Sequence, residues 1–478
     1  MAYRYGNRQQ FTLFPDCIED YISAEDPVHA YDAFIDALDI DFLGLDIDDQ
    51  AVGNTAYDPL TMLKILIYSY SYGWRSSRKI ERALYHNLSF IWLAGGLKPD
   101  HKTLSRFRKD HLDVLKKVLK QCARICYNLG LIEGNTLFVD GSKFRANASA
   151  KQTHSKQGWH KIADRVDQRI HQLLNECECT DNLETEDLVK MDKALQGQSR
   201  LKAKIAHLLE EFNDADKING TDSDSRIMHG RQGCHSSYNS QIVVDDQHGL
   251  IVSSDVTSDQ NDLNQMNRQI IQAEETIGQR CETACGDGGY SSVDDLKKLV
   301  DEGRTVVVPT AGQVIKQRDN PFGKHAFRYD DKNDRYICPA GREMYRSYNK
   351  KGTNKIVYRM LDAAACRLCQ HYGVCTKAKR GRTIIRLINE NTINQLDEIY
   401  SSVKGQTIYA KRKLKAELPF GHLKRNLGAG HFLLRGIEGV KGEFALLCCS
   451  FNINRMLTLL GGVSPMCKIL KTVGQIKG

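Results

Sequence analysis

Three carboxylates stand out by the residues around them. Asp140 closes an apolar run, Leu137, Phe138 and Val139, and is followed by Lys143 and Arg145. Asp287 lies in "ACGDGGY", between Gly286 and the pair Gly288 and Gly289. Glu417 is the single acid in a run that carries Lys404, Lys411, Arg412, Lys413, Lys415, Lys424 and Arg425. A buried unpaired charge is costly, so an acid at a strand end needs a hydrogen bond, an ion pair or a cation. Taken singly, each acid has a plain explanation: Asp-Gly is common turn chemistry, and lysines neutralise a surface glutamate. Taken together they suit phosphodiester chemistry. Two aspartates and a glutamate on separate elements can bind two Mg²⁺ (or Mn²⁺) ions about 4 Å apart. Surrounding lysines and arginines would hold the phosphates, and no covalent enzyme intermediate is needed.

A second group has soft ligands. Cys338 in "YICPAGREMY" is followed by Cys366, Cys369 and Cys375 in "ACRLCQHYGVC". The Cys-x-x-Cys spacing lets two thiolates bind one ion, and four thiolates suit a structural Zn²⁺ in a small unit with little core. Reduced, packed or redox-active cysteines are the other explanation of the same pattern. His371 is a substitute ligand, while the adjacent Cys448 and Cys449 in an apolar helix read as core.

Composition bounds the class. The 478 residues suffice for about two to four domains. Hydrophobic residues make up 41% of the chain, which argues against wholesale disorder. No apolar stretch reaches the roughly eighteen residues of a membrane span. The opening "MAYRYGNRQQFTLF" lacks a secretory core, so a soluble, cytoplasmic protein without disulfides is expected. Lysine and arginine number 67 against 59 acids, a net charge of +8. That total is modest, but the cations cluster: Arg75, Arg78, Lys79 and Arg82, then Arg106, Arg108 and Lys109, then the run around Glu417. Clustered cations point to a polyanion such as nucleic acid, although any one cluster also suits a solvated helix face.

The elements that must position these residues follow from periodicity. Asp58-Pro59 opens a helix with Met62, Leu63, Leu66 and Ile67 on one face. "SSRKIERALYHNLSFIWLAGG" and "PDHKTLSRFRKDHLDVLKKVLKQCARICYNLG" read as a second and a third helix. Asp140 ends a strand; a hairpin follows over Ser240–Val244 and Leu250–Asp255, then a helix, the strand before Asp287, a helix and the strand "TVVVPT". This order predicts an α/β fold with a mixed sheet. The expected divisions are 1–132, helical, a pattern that fits a DNA-binding module or a plain helical bundle alike; 133–150, 235–310 and 401–460, a discontinuous α/β domain that carries the three acids; and 151–234, a helical insertion with Ile162, Val166, Ile170 and Leu174 on one face. Residues 311–400 form a cysteine-containing insertion, and 461–478 a tail.

At the motifs "PDHKTLSRFRKDH", "FVDGSKFRANAS", "YNSQIVVDD", "GDGGY" and "AELPFGHLKRNLGAGHFLLRGIEGVKGEFALLCCSFNINRM" the chain resembles insertion-sequence transposases of the DDE class. In that family a Tyr, an Arg, a catalytic Glu and a Lys recur along one helix. Glu417 and Lys424 match the Glu-to-Lys spacing, and Tyr409 and Arg412 the Tyr-to-Arg spacing. Arg412 stands one residue further from Glu417 than the usual pattern, and Lys413 occupies the usual place. The resemblance implies an RNase H-like catalytic domain with Asp140, Asp287 and Glu417 as metal ligands. It implies Lys424 on DNA near the transposon end, and DNA recognition by the N-terminal helices. It further implies cutting of double-stranded DNA at the element's ends, strand transfer to target DNA, and a dimer in the DNA complex. Lys143, Arg145, Arg75 and Arg106 join Tyr409, Arg412, Lys413 and Lys424 as expected DNA contacts. Two other functions share these features: a transposon-derived DNA-binding protein without catalysis, and a metal-dependent DNA nuclease.

Overall fold

In the computed structural model Asp58 opens the Pro59–Ser71 helix as its N-cap, accepting from the amides of Leu60 at 3.2 Å and Thr61 at 2.8 Å. This helix is apolar on nearly every side, with Met62, Leu63, Ile65, Leu66, Ile67, Tyr68 and Tyr70 buried. Such a helix must lie inside a core. It packs against the equally apolar Ile437–Leu459 helix, which also packs on the Leu112–Asn128 helix and the Ile251–Thr257 strand. Cys448 and Cys449 are fully buried there.

The structure describes residues 17–45, 57–178, 185–210, 212, 217–230, 233–310, 321–351 and 353–475. Residues 179–184 of the acidic segment 178–190 and the opening residues 1–16 lie outside the described residues. The chain divides into two compact units. The first holds Met1–Asp262, Gln269–Cys281 and Arg412–Gly478; the second holds Leu263–Arg268 and Glu282–Lys411. The N-terminal helices therefore share a unit with the C-terminal ones, because they bury their apolar faces against Ile437–Leu459. Among the described residues no single helix is long and apolar enough to cross a membrane.

Two of the expected helices are interrupted. The second breaks at Asn87 (φ −116°, ψ 120°), whose side chain caps Leu88–Leu93 by accepting from Phe90 N at 3.3 Å. The third breaks at His111 (φ −115°, ψ 35°), giving His101–Asp110 and Leu112–Asn128. A short polar residue at Asn87 and an off-helix backbone at His111 let each following segment turn its own apolar face inward.

In the first unit the Gly233–Asp245 strand is central. It pairs antiparallel with Thr136–Arg145 along one edge, Asp140 opposite Ile242, and with Arg226–Gly230 and Ile251–Thr257 along the other. Asn452 locks the last strand to the core helix: its side chain accepts from Ile251 N at 2.9 Å and donates to Ile251 O at 2.8 Å. The helices Lys156–Glu178 and Thr185–Glu210 pack together around Trp159, Val166, Ile205, Leu208 and Phe212. Leu173 takes the buried position expected of Leu174, which is exposed.

In the second unit Thr283–Cys285 pairs in parallel with Thr305–Val307. Residues beyond 321 form a five-stranded antiparallel sheet, in the order Thr383–Leu387, Lys355–Arg359, Glu343–Lys350, Arg335–Ile337, Arg328–Asp330. Its core is small: Phe327, Tyr336, Met344, Tyr358 and Ile384. The expected C-terminal tail contains a helix, Val463–Gln475. Antiparallel and parallel pairing both occur beside the helices, as the α/β expectation requires.

Candidate active site

Asp140 is 8% exposed on its strand, and a carboxylate so placed needs a partner. Arg412 supplies one. Its Nη1 lies 3.2 Å from Asp140 Oδ1, and its own side chain is buried. Arg412 thus turns inward from the Val403–Gly421 helix, while Lys413, next to it, is exposed. The two cations that compete for the family's Arg place are separated by tertiary structure: Arg412 meets the acid and Lys413 meets solvent.

Lys424 reaches the same strand two residues further on. Its Nζ donates to Ser142 Oγ at 2.6 Å and to Lys143 O at 2.8 Å, and sits 4.5 Å from the centre of the Phe144 ring. Asp140 and Ser142 are two positions apart and so lie on one face of the strand. Arg412 and Lys424 clasp that face. Glu417 lies between them along the chain and is exposed. Pro419 and a π-turn at His422–Asn426 interrupt regular α-helix in this segment, a feature often found at functional sites. Phe144, Phe420, Phe432 and Phe444 pack beneath, which fixes the segment on the sheet.

Beside Lys424 opens a polar cleft of about 630 Å³, lined by Arg145, Asn147, Lys424, His431 and Arg435. Its far wall, the 428–434 segment, is held from inside. Glu443, fully buried, accepts from Arg75 Nη1 at 3.0 Å and from the amides of Leu433 and Leu434, both at 2.8 Å. Arg75 also donates to His431 O at 2.6 Å and to Gly428 O at 3.3 Å. Burial, reinforced by the charge of Arg75, holds the His431 imidazole below its ordinary value. Arg75 was expected on DNA; in the fold its guanidinium is 6% exposed and bonded to protein. Lys143 donates to His229 O at 3.0 Å, and Arg106 is exposed on the His101–Asp110 helix. Glu443, His431 and Arg435 carry no local signal in the sequence, since their roles come from contacts with distant residues.

Asp287 belongs to the second unit. It follows the Thr283–Cys285 strand and caps the Gly288–Tyr290 turn, accepting from Gly289 N at 2.8 Å. Gly286 is tightly enclosed, since a Cβ there would meet the Met266 sulfur and the Tyr290 ring at 3.2 Å. Tyr409, in the same unit, packs edge-on against Tyr400 at 5.1 Å.

Also in the second unit, Cys338, Cys366, Cys369 and Cys375 line a single cavity of about 30 Å³, together with His371. Cys338 opens a tight turn, with Gly341 N bonded to Cys338 O at 2.8 Å and Gly341 at φ 74°. Among the described residues no group of three or more His, Cys, Asp or Glu side chains is arranged to hold a metal ion as it stands. By donor chemistry the two sets differ: carboxylates suit Mg²⁺ or Mn²⁺, and thiols on a shared cavity suit Zn²⁺.

Comparison with known families gives two matches. Residues 337–457 match the family described as Transposase DDE domain, and residues 16–110 match Transposase domain (DUF772). The first takes in the four cysteines, Glu417, Lys424 and Glu443, and neither Asp140 nor Asp287. The second takes in the helices that carry Arg75 and Arg106. No curated protein and no solved structure matches the chain.

Proposed function

We propose that this chain, an insertion-sequence transposase of the DDE class, cuts DNA at the ends of its element and joins the freed 3′-hydroxyls to a target duplex. The catalytic part is read as an RNase H-like domain built from 133–150, 235–310 and 401–460, with 151–234 and 311–400 inserted. Asp140, Asp287 and Glu417 are the residues that would hold Mg²⁺ or Mn²⁺. When bound, such ions make a water or 3′-hydroxyl nucleophilic at neutral pH and neutralise the leaving oxygen.

The protein's own residues have distinct tasks in this reading. Arg412 offsets the charge of Asp140 in a site where the acid is nearly out of water. Lys424 and Arg145 hold the DNA backbone at the cleft, and Arg435 and Asn147 extend that surface. Arg75 and Glu443 keep the cleft wall in place without touching DNA. The observation that supports the reading most directly is the contact of Lys424 with Ser142 and Lys143. It joins the segment matched to the DDE domain to the strand that carries Asp140. Cys338, Cys366, Cys369 and Cys375 are proposed to hold a structural Zn²⁺, which would staple a lobe with a small core.

The test uses a duplex carrying the DNA that flanks the reading frame, with Mg²⁺, and compares wild type with Asp140→Ala, Asp287→Ala and Glu417→Ala. All three variants should bind the duplex and fail to cut or join it. Cutting that survives in all three would reject the triad. Sedimentation with and without the duplex measures the dimer expected in the DNA complex.

A further inference from the structure

The cysteine lobe of the second unit carries a charge imbalance that its own fold does not neutralise. From Ala363 to Ile388 the chain has six arginines and lysines and no acid. Two of these cations serve the lobe itself. Arg382 donates to Cys375 O at 3.2 Å and to Phe322 O at 3.0 Å, and the Arg386 guanidinium lies 3.5 Å from the centre of the Tyr329 ring. The other four, Arg367, Lys377, Lys379 and Arg380, are exposed. Among the described residues none of these four makes an ion pair with a carboxylate.

The same stretch turns apolar side chains outward. Leu368 is 84% exposed and Val374 70%, and Tyr372 is exposed as well. They stand on a tightly bonded knuckle. Leu368 N donates to Ala364 O at 3.0 Å, Tyr372 N to Cys369 O at 2.9 Å, Gly373 N to Thr376 O at 2.9 Å and Cys375 N to His371 O at 2.8 Å. Gly381, at φ 80°, closes the knuckle, since a Cβ there would lie 3.1 Å from Cys366 Sγ. That contact returns the chain at Arg380 to the point where Arg367 begins. The four free cations and the exposed leucine thus belong to one small, well-bonded feature.

Burying a leucine is favourable, yet this lobe leaves Leu368 and Val374 in water while its core holds few residues. Exposed apolar groups rimmed by polar ones mark a docking site, and the rim here selects a polyanion. The shape selects among polyanions. The B-form minor groove is about 6 Å wide, too narrow for a helix but open to a turn. A leucine pushed between base pairs from that groove unstacks them and kinks the duplex, and flanking cations hold the phosphates. An anionic membrane attracts a similar mix, but interfacial binding relies on a long amphipathic helix, and Ala363–Arg367 has only five residues.

We propose that this knuckle is a DNA-bending site. Leu368 wedges between base pairs from the minor groove, Val374 and Tyr372 rest on the groove wall, and Arg367, Lys377, Lys379 and Arg380 hold the phosphates on either side. This inference rests on the transposase reading above. It gives the cysteine lobe a task of its own, distinct from the three acids, the Lys424 cleft and the N-terminal helices.

The experiment measures bending and binding by the full chain in an Asp140→Ala background, so that cutting plays no part. The probe is a duplex of about 30 base pairs copied from the DNA flanking the reading frame, with a donor and an acceptor dye at its ends; free, it is far shorter than the persistence length and straight. The variants are Leu368→Ser, Leu368→Met, Lys377→Gln/Lys379→Gln, and a control, Lys161→Gln/Lys204→Gln, on exposed helix faces of the first unit. The parent should raise energy transfer, as a kink of about 20–90° requires. Leu368→Ser should remove most of that rise and weaken binding at least about threefold, with the slope of log K against log salt unchanged. Leu368→Met should keep the bend, because an apolar wedge remains. The lysine pair should lower the slope by about 2 (about 0.9 per lost phosphate contact), and the control should match the parent. Circular dichroism checks that each variant folds, as expected for exposed positions. A parent that binds without bending, a Leu368→Ser variant that bends like the parent, or a bend lost equally in Leu368→Met would each overturn the wedge and leave the transposase reading standing. So would phosphatidylglycerol vesicles that bind the parent and release Leu368→Ser, with DNA bending unaltered. A parent that binds no duplex would overturn the transposase reading itself.

Discussion

Removing Glu443 should loosen the cleft wall and destabilise the first unit strongly. The carboxylate is 0% exposed and accepts one guanidinium bond at 3.0 Å and two amide bonds at 2.8 Å. Glu443→Ala strips all three and leaves the Arg75 charge buried at 6% exposure. Breaking one side of a buried ion pair costs about 3–5 kcal/mol, since the remaining charge has lost its partner out of reach of water. Arg75 retains the carbonyls of His431 and Gly428, which places the expected loss near the lower end, about 3 kcal/mol. Replacing both partners by apolar residues, Glu443→Leu with Arg75→Met, removes the stranded charge. That double variant should be less destabilised than the sum of its single variants by at least about 1.5 kcal/mol. Urea unfolding with an unchanged m value measures all four corners of the cycle. A loss below about 1 kcal/mol in Glu443→Ala, or additive singles, would refute the claim that this pair holds the wall.

Other predictions test neighbouring contacts. Lys424→Met keeps the stem over the Phe144 ring and deletes the bonds to Ser142 and Lys143; strand transfer should fall at least about tenfold in a duplex cleavage assay while thermal stability stays within about 1 kcal/mol. Gly73 has φ +67°, and a Cβ there would lie 2.6 Å from Leu427 O, so Gly73→Ala should destabilise by more than about 1 kcal/mol in urea unfolding. Burial pushes the Asp245 carboxyl up, against the lowering effect of the Gly134 and Gln247 amides. Its contribution is therefore fully present below the ordinary Asp value of about 3.9 and is lost as pH rises through the raised native value. Asp245→Asn should flatten the stability profile across that window, as read by urea midpoints at stepped pH. For the cysteine lobe, bound zinc measured by elemental analysis should be about one ion per chain and should vanish in Cys366→Ser, with faster proteolysis between 321 and 411.

Much of the fold is legible along the chain because local chemistry repeats there. The Asp58 cap, the apolar stripe of Pro59–Ser71, the hairpin over Gly233–Asp245 and Ile251–Thr257, and the Thr283–Cys285 strand before Asp287 all follow from spacing and turn residues. The breaks at Asn87 and His111 are not legible, because apolar periodicity runs through both and only the packing of each half decides the bend. The five-stranded sheet of the cysteine lobe is hidden for a similar reason: short strands with polar, basic faces look like loop until their partners are known.

The sequence by itself determines the kinds of chemistry available. Carboxylates, thiols and clustered cations are visible wherever they fall, and the Glu417-to-Lys424 spacing survives because one continuous segment carries both. Tertiary structure alone decides which cation meets which acid. Arg412 and Lys413 are adjacent and equally charged, yet only Arg412 faces the sheet and meets Asp140, 272 residues away in the chain. Arg75 looks like a DNA contact until Glu443, 368 residues later, claims it. Charge is a property of a residue, but burial and partnership are properties of the packed whole, and long-range pairs leave no local trace from which to infer them.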